Sequence, residues 1–117
     1  MPIQNFLEIL PAEEICHNGD GKIKIASILE KELAAPLQFV HYTVLPPCTS
    51  IGLHTHKNDQ ELYIVLEGGG IIKLNGKKTN IKKGDVILNK PFGSHALYNT
   101  SDNQELKILV MEITTGS

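Results

Sequence analysis

No run of about 18 apolar residues occurs in the 117-residue sequence, so no membrane-spanning helix is expected. Positive charge is not in excess either. Lys and Arg number 11 against 13 Asp and Glu, a net charge of −2. A chain that neutralises nucleic-acid phosphates needs a basic face, so nucleic acid is excluded as the expected partner. Met1 to Leu10 carry Glu8 and no basic region ahead of their apolar residues, which argues against a secretory leader. Cysteine is scarce: Cys16 and Cys48 lie too far apart for a metal knuckle and read as free thiols of a protein in a reducing cytoplasm. Helix signals are nearly missing. The one stretch of good helix formers, Glu30 to Ala35, runs about one and a half turns before Pro36 and reads as a loop or a single turn. There is also no internal repeat and no linker. One domain over residues 1–117 is therefore expected, with 1–21 as an N-terminal arm and 22–113 as the body.

What the sequence has in quantity is short strands. Lys22 to Leu29 begins as an alternation of Ile with Lys, and Leu37 to Leu45 is rich in β-branched and aromatic residues before Pro46-Pro47. Ile51 to His56, Glu61 to Glu67, Ile71 to Leu74, Lys77 to Ile81, Val86 to Asn89, Ser94 to Asn99 and Leu106 to Ile113 follow, separated by turn residues. Asn75-Gly76 is the strongest of these turn signals, because a type I′ hairpin needs positive φ at both positions. Pro2 to Leu10 is a strand or an arm, and Ala12 to His17 is too short and mixed to assign. An all-β sandwich or barrel results.

His54-Thr55-His56 stands at the centre of the chemistry. In a strand, residues two apart share a face at roughly 6.5 Å, so both imidazoles can converge on one ion. Lys57 to Gln60 has turn character, and a hairpin there folds Glu61 back beside the histidines. His95, after the Pro91-Phe92-Gly93 turn, supplies a third imidazole. Three neutral imidazoles and one carboxylate leave a divalent ion with a net charge near +1, which attracts an anionic ligand. The set suits Mn, Fe, Co, Ni or Zn.

These residues carry a resemblance to the cupin superfamily, whose first motif is glycine, five residues, His-x-His, three or four residues, Glu, six residues, Gly. His54, His56, Glu61 and Gly68 fit that spacing, while Cys48 occupies the first glycine's place. Gln60 could compete for the carboxylate position, but the spacing to Gly68 favours Glu61. The second motif is glycine, five residues, Pro-x-Gly, two residues, His, three residues, Asn. Gly84, His95 and Asn99 fit; Lys90 and Phe92 fill the proline and glycine slots, with Pro91 and Gly93 one residue later. The resemblance implies a cupin-type double-stranded β-helix, or jelly-roll barrel, with a metal in its mouth, paired as a homodimer. Some short single-domain cupins carry an oxalate-decarboxylase-like label. Oxalate-decarboxylating cupins usually have two domains and a lid glutamate, and no segment here matches either.

His41 shares a strand face with Phe39 and Thr43 and is a candidate to act from behind the ligands if that face lines the cavity. Cys48 reads as a small residue in a turn, Cys16 and His17 as incidental, and Asp59 and Glu67 as solvated. Gly68-Gly69-Gly70 has no Lys-Ser/Thr after it and is no phosphate loop. The apolar residues of Pro2 to Leu10 suit the covering of a partner's sheet edge, which again predicts a homodimer. Function narrows to a metal-dependent enzyme acting on a small anionic or oxygen-bearing metabolite by oxygenation, decarboxylation or isomerisation. A non-catalytic module that binds or senses a small molecule is the alternative.

Overall fold

A computed structural model describes residues 2–115. After a 3-10 turn, Phe6–Glu8, ten strands follow in order: β1 (Ala12–Glu14), β2 (Ile23–Ser27), β3 (Leu37–Leu45), β4 (Ser50–Thr55), β5 (Asp59–Glu67), β6 (Gly69–Leu74), β7 (Lys77–Lys82), β8 (Val86–Asn89), β9 (Ser94–Tyr98) and β10 (Leu106–Thr114). They form a six-stranded sheet, β1-β2-β3-β10-β5-β8, and a four-stranded sheet, β4-β9-β6-β7. All pairings are antiparallel, and the core between the sheets is built from Ile, Leu, Val and one tyrosine, Tyr63. This is the all-β jelly-roll architecture that the turn spacing and motifs predict.

The strand alternation places the site. Along β5, Glu61, Tyr63 and Val65 are buried while Leu62 and Ile64 between them, and Leu66 after them, are not, so one face runs from apolar floor to acidic mouth. Glu30 to Ala35 is turns, as expected, and β7 returns from β6 through Asn75 and Gly76, both at positive φ. Ala12 to His17, unassigned from the sequence, is where the structure first adds to that reading. It contains β1, which pairs with β2 and so brings part of residues 1–21 into the larger sheet.

Two further differences bear on the site. The connection from His56 to Glu61 is not a hairpin. β4 pairs with β9 in one sheet and β5 with β10 and β8 in the other, so Lys57-Asn58 carries the chain between sheets at the barrel mouth. Asp59 and Gln60, expected in the turn, already belong to β5. Moreover, β4 does not alternate regularly. Ile51 pairs with Leu97 and His54 with His95, which leaves one extra residue on β4 between those two pairs. That bulge lets Ile51 and His54, three apart, face the same cavity.

At the closed end, Asn99 ties the loops. Its Nδ2 donates to the carbonyls of Leu45, Pro46 and Gln104 at 2.9, 3.1 and 2.8 Å, and its Oδ1 accepts from Ser101 N at 3.0 Å. Cys48 sits nearby at φ 61°, exposed, its Sγ 3.6 Å from the Ser101 carbonyl. The turn reading of Cys48 therefore stands. Phe92, in the other motif's glycine slot, is also left-handed, at φ 61°.

Candidate metal centre

β4 and its C-terminal continuation, β5 and β9 bring four side chains to one point. One donor atom from each of His54, His56, Glu61 and His95 lies within 4.8 Å of the others. His95 and His56 stack with centroids 4.7 Å apart, and His54 meets His95 edge-on at 4.1 Å. His54 Nδ1 donates to the Gly52 carbonyl at 2.8 Å, which leaves Nε2 with its lone pair free. His56 Nδ1 bonds Asp59 Oδ2 at 2.6 Å, so its Nε2 likewise points away from that anchor. Buried and unpartnered, His56 Nε2 stands 3.6 Å from Glu61 Oε1. His95 Nε2 lies 3.1 Å from both Glu61 Oε1 and the Tyr63 hydroxyl. An orphaned buried nitrogen beside two other imidazoles and a carboxylate is a donor set that fits a divalent ion.

Charge reinforces this. Burial holds His54 down to about 4, so its ring is a neutral donor at neutral pH. Burial pushes Glu61 up, but the hydrogen bond from His95 and the neighbouring His95 and His56 outweigh it, and the carboxyl ends below its usual range. Behind His56 lies a carboxyl pair. Asp59 is held at about 2, chiefly by a hydrogen bond from Glu112, while burial and that same bond raise Glu112 to about 8. Asp59 is thus not the solvated residue its sequence position suggests; it anchors the tautomer of His56. Glu67 is largely exposed and, among the described residues, forms its one ion pair with Lys107, at 3.3 Å.

His54 and Glu61 open onto a cavity of ≈ 230 Å³ between the sheets, and with His56 they also line a wider space at its mouth. His41 faces it with Phe39 and Thr43, its ring stacked on Phe39 at 4.0 Å, and burial lowers its pKa. The sequence reading missed two residues. Tyr63, wholly buried, bonds His95; it lies two residues from Glu61 on a strand, so period-two spacing already placed it on the same face. His17 is not incidental: its ring stacks on His54 with centroids 3.6 Å apart and nearly parallel planes, and it lines the cavity. Cys16 lines it too, its thiol raised to about 11 by burial and by Glu14 and Glu61. Nothing local in the sequence marks this contact. It depends on Gly52, where a Cβ would clash with the His17 carbonyl oxygen.

The cupin domain model matches residues 41–112. A Thermotoga maritima protein named "Oxalate-binding protein" is 36% identical over 96 residues, 81% of this chain and 78% of that one. A Methanocaldococcus jannaschii protein described as uncharacterized is 38% identical over 66 residues, 56% of this chain and 52% of its own. A crystal structure from Thermotoga maritima, described as "a predicted oxalate decarboxylase", superposes with a TM-score of 0.91 at 33% identity, covering 96% of this chain and 98% of that one. The cupin domain of Schizosaccharomyces pombe Cnp3 shares the fold alone, with a TM-score of 0.71 at 14% identity over 79% of this chain and 61% of that one. With its motifs, its barrel and a family model covering most of its length, this chain belongs to the cupin family.

Proposed function

We propose that His54, His56, Glu61 and His95 hold a divalent transition metal, and that the protein uses it to bind a small carboxylate such as oxalate in the adjoining cavity. The observation that carries this reading is the charge of the cavity wall. The chain has no arginine and no lysine lines this cavity, while Glu14 and Glu61 do. Lys57 lines the outer mouth beside His54, His56 and Glu61; past it an anion meets no further protein cation, so inside the cavity the ion must supply the attraction. When bound, the metal would act as a Lewis acid that accepts carboxylate oxygens. Glu61 would leave the site near +1, and Ile23, Ile51 and Val110 would exclude water around the ligand. The inner cavity of ≈ 230 Å³ suits a ligand of a few heavy atoms, and it shares His17, Phe39, His54 and Glu61 with a wider space of ≈ 540 Å³ at the mouth. The name of the Thermotoga maritima relative agrees with such a ligand.

Titration calorimetry tests this directly. Metal-loaded protein should bind oxalate with one site per chain, and protein stripped with a chelator should not bind it. Equal affinity in both forms would remove the metal from the reading.

A second reading, turnover of the ligand, is favoured by the hydroxyl of Tyr63 and the imidazole of His41, which face the same cavity. Decarboxylation of oxalate consumes one proton and yields formate and carbon dioxide, and either group could hold or pass that proton. Formate release from oxalate by metal-loaded protein, lost in the His41→Ala variant while oxalate affinity persists, is the expected sign of catalysis. Its two free thiols, Cys16 and Cys48, accord with a cytoplasmic protein.

A further inference from the structure

Four buried side-chain polar atoms have no hydrogen-bond partner among the described residues: His56 Nε2, His95 Nδ1 and both polar atoms of the Asn89 amide. The first looks toward Glu61 and is accounted for by the candidate metal centre. The other three belong to Asn89 and His95, 2% and 1% exposed, and both residues line a second cavity of ≈ 210 Å³. This lateral cavity shares no lining residue with the first. His95 forms part of its wall, so the candidate metal centre separates the two.

The chemistry of the lateral walls is the reverse of the main cavity's. No Asp or Glu lines it, and Lys90 does. Asn75 spends its Oδ1 on Ser94 N at 2.9 Å, which leaves its Nδ2 to donate. The Asn89 amide is a further donor, deeply buried and unsatisfied. Lys90 fills the slot that the second cupin motif gives to proline. His95 adds a fourth donor once its Nε2, 3.1 Å from Glu61 and Tyr63, gives its lone pair to an ion, since the ring proton must then reside on Nδ1. Buried amide and imidazole groups without partners are costly to maintain, and the two residues that carry these three atoms both line one space.

We propose that the lateral cavity is a second ligand site, which takes a small monoanion such as formate. Lys90 supplies the charge, Asn75 and Asn89 donate hydrogen bonds, and His95 donates from Nδ1. The His95 proton rests on the metal reading above; the other three donors do not. An acceptor on Nδ1 makes Nε2 a stronger donor to the ion, as outer partners of ligating histidines do, so the anion and the metal should favour each other.

The test is a formate titration of ¹⁵N-labelled, zinc-loaded protein followed by NMR, with a bulky sulfonate as the matched-ionic-strength control. Formate should move the Asn89 side-chain amide to saturation, the sulfonate should not, and Lys90→Gln should weaken the saturation about tenfold. Lys90 is exposed, so this variant should fold. Formate reaching the ion in the main cavity would move His41 and Thr43 instead, so failure of the proposed function shows in different resonances. If zinc is not retained, the Asn89 amide still reports, because three donors remain. A linear response of Asn89, the same response to the sulfonate, or no effect of Lys90→Gln would each overturn the proposal and leave a water-filled pocket.

Discussion

Glu61 is the only anionic member of the four-residue cluster, and its environment explains why it can remain ionised while 7% exposed. Hydrogen bonding from His95 offsets the burial that would otherwise protonate it. Changing it to Gln keeps the size and one carbonyl oxygen but leaves a bound ion nearer +2. Metal affinity should fall by about 10–100-fold, the range typical when a ligand or its partner is altered. With metal replenished, oxalate should bind at least as well as to wild type, because the ion is less neutralised. Unchanged metal affinity in a competition assay would place Glu61 outside the ligand set. Replacing His54 and His56 together with Ala should go further and strip the ion; elemental analysis showing wild-type stoichiometry in that variant would refute the assignment.

At the scale of elements, the bulge in β4 and the crossing from β4 to β5 decide where these residues go. Gly52 lies in the bulged segment and touches the loop that carries His17: its amide donates to the Cys16 carbonyl at 3.0 Å, and no Cβ fits against His17. Gly52→Ala should therefore displace the His17 loop, break its stack on His54 and weaken metal binding, with the Asn99 clamp at the far end intact. A variant with wild-type metal affinity would show that the stack does not position His54. Phe92 offers the opposite case, a left-handed residue that is 69% exposed. Phe92→Gly relieves the Cβ penalty and loses little packing, against the greater unfolded freedom of glycine. Stability should rise by about 0.5–1 kcal/mol in chemical denaturation. Much of this was legible in the sequence. The boundaries of β3 and β8 follow from apolar runs closed by Pro46 and Pro91, and the turn at Cys48 was read from its glycine slot, whereas the left-handed backbone at Phe92 was not. The pairing of β4 with β9, of β5 with β10, and the contact of His17 with His54 were not legible. Each joins segments far apart in the chain, and a single sequence carries no signal for such pairings.

The whole molecule leaves two things uncovered, its sheet edges and its buried polar mouth. β1 and β8 end the larger sheet, and exposed Leu10 and Ile15 flank one edge while Val86 and Leu88 project from the other. Exposed edges of this kind are usually covered, so we expect a homodimer, measured as twice the chain mass by light scattering at micromolar concentration. The mouth gathers three imidazoles and a carboxylate in a space walled partly by apolar residues, with His56 Nε2 unpartnered. An ion that binds only the folded state relieves that arrangement and adds stability by mass action, about 2.7 kcal/mol at a concentration a hundredfold above its Kd. For a chain of this length, that corresponds to roughly a 10 °C rise in Tm. Chelator treatment should remove it, and adding manganese or zinc should restore it, at one fixed protein concentration so that any dimerisation contributes equally. The variant with His54 and His56 both changed to Ala should show neither the loss nor the recovery. Were it to respond to metal as the wild type does, the stabilising ion would sit elsewhere, and the mouth would have to be read as a hydrogen-bonded polar cluster instead.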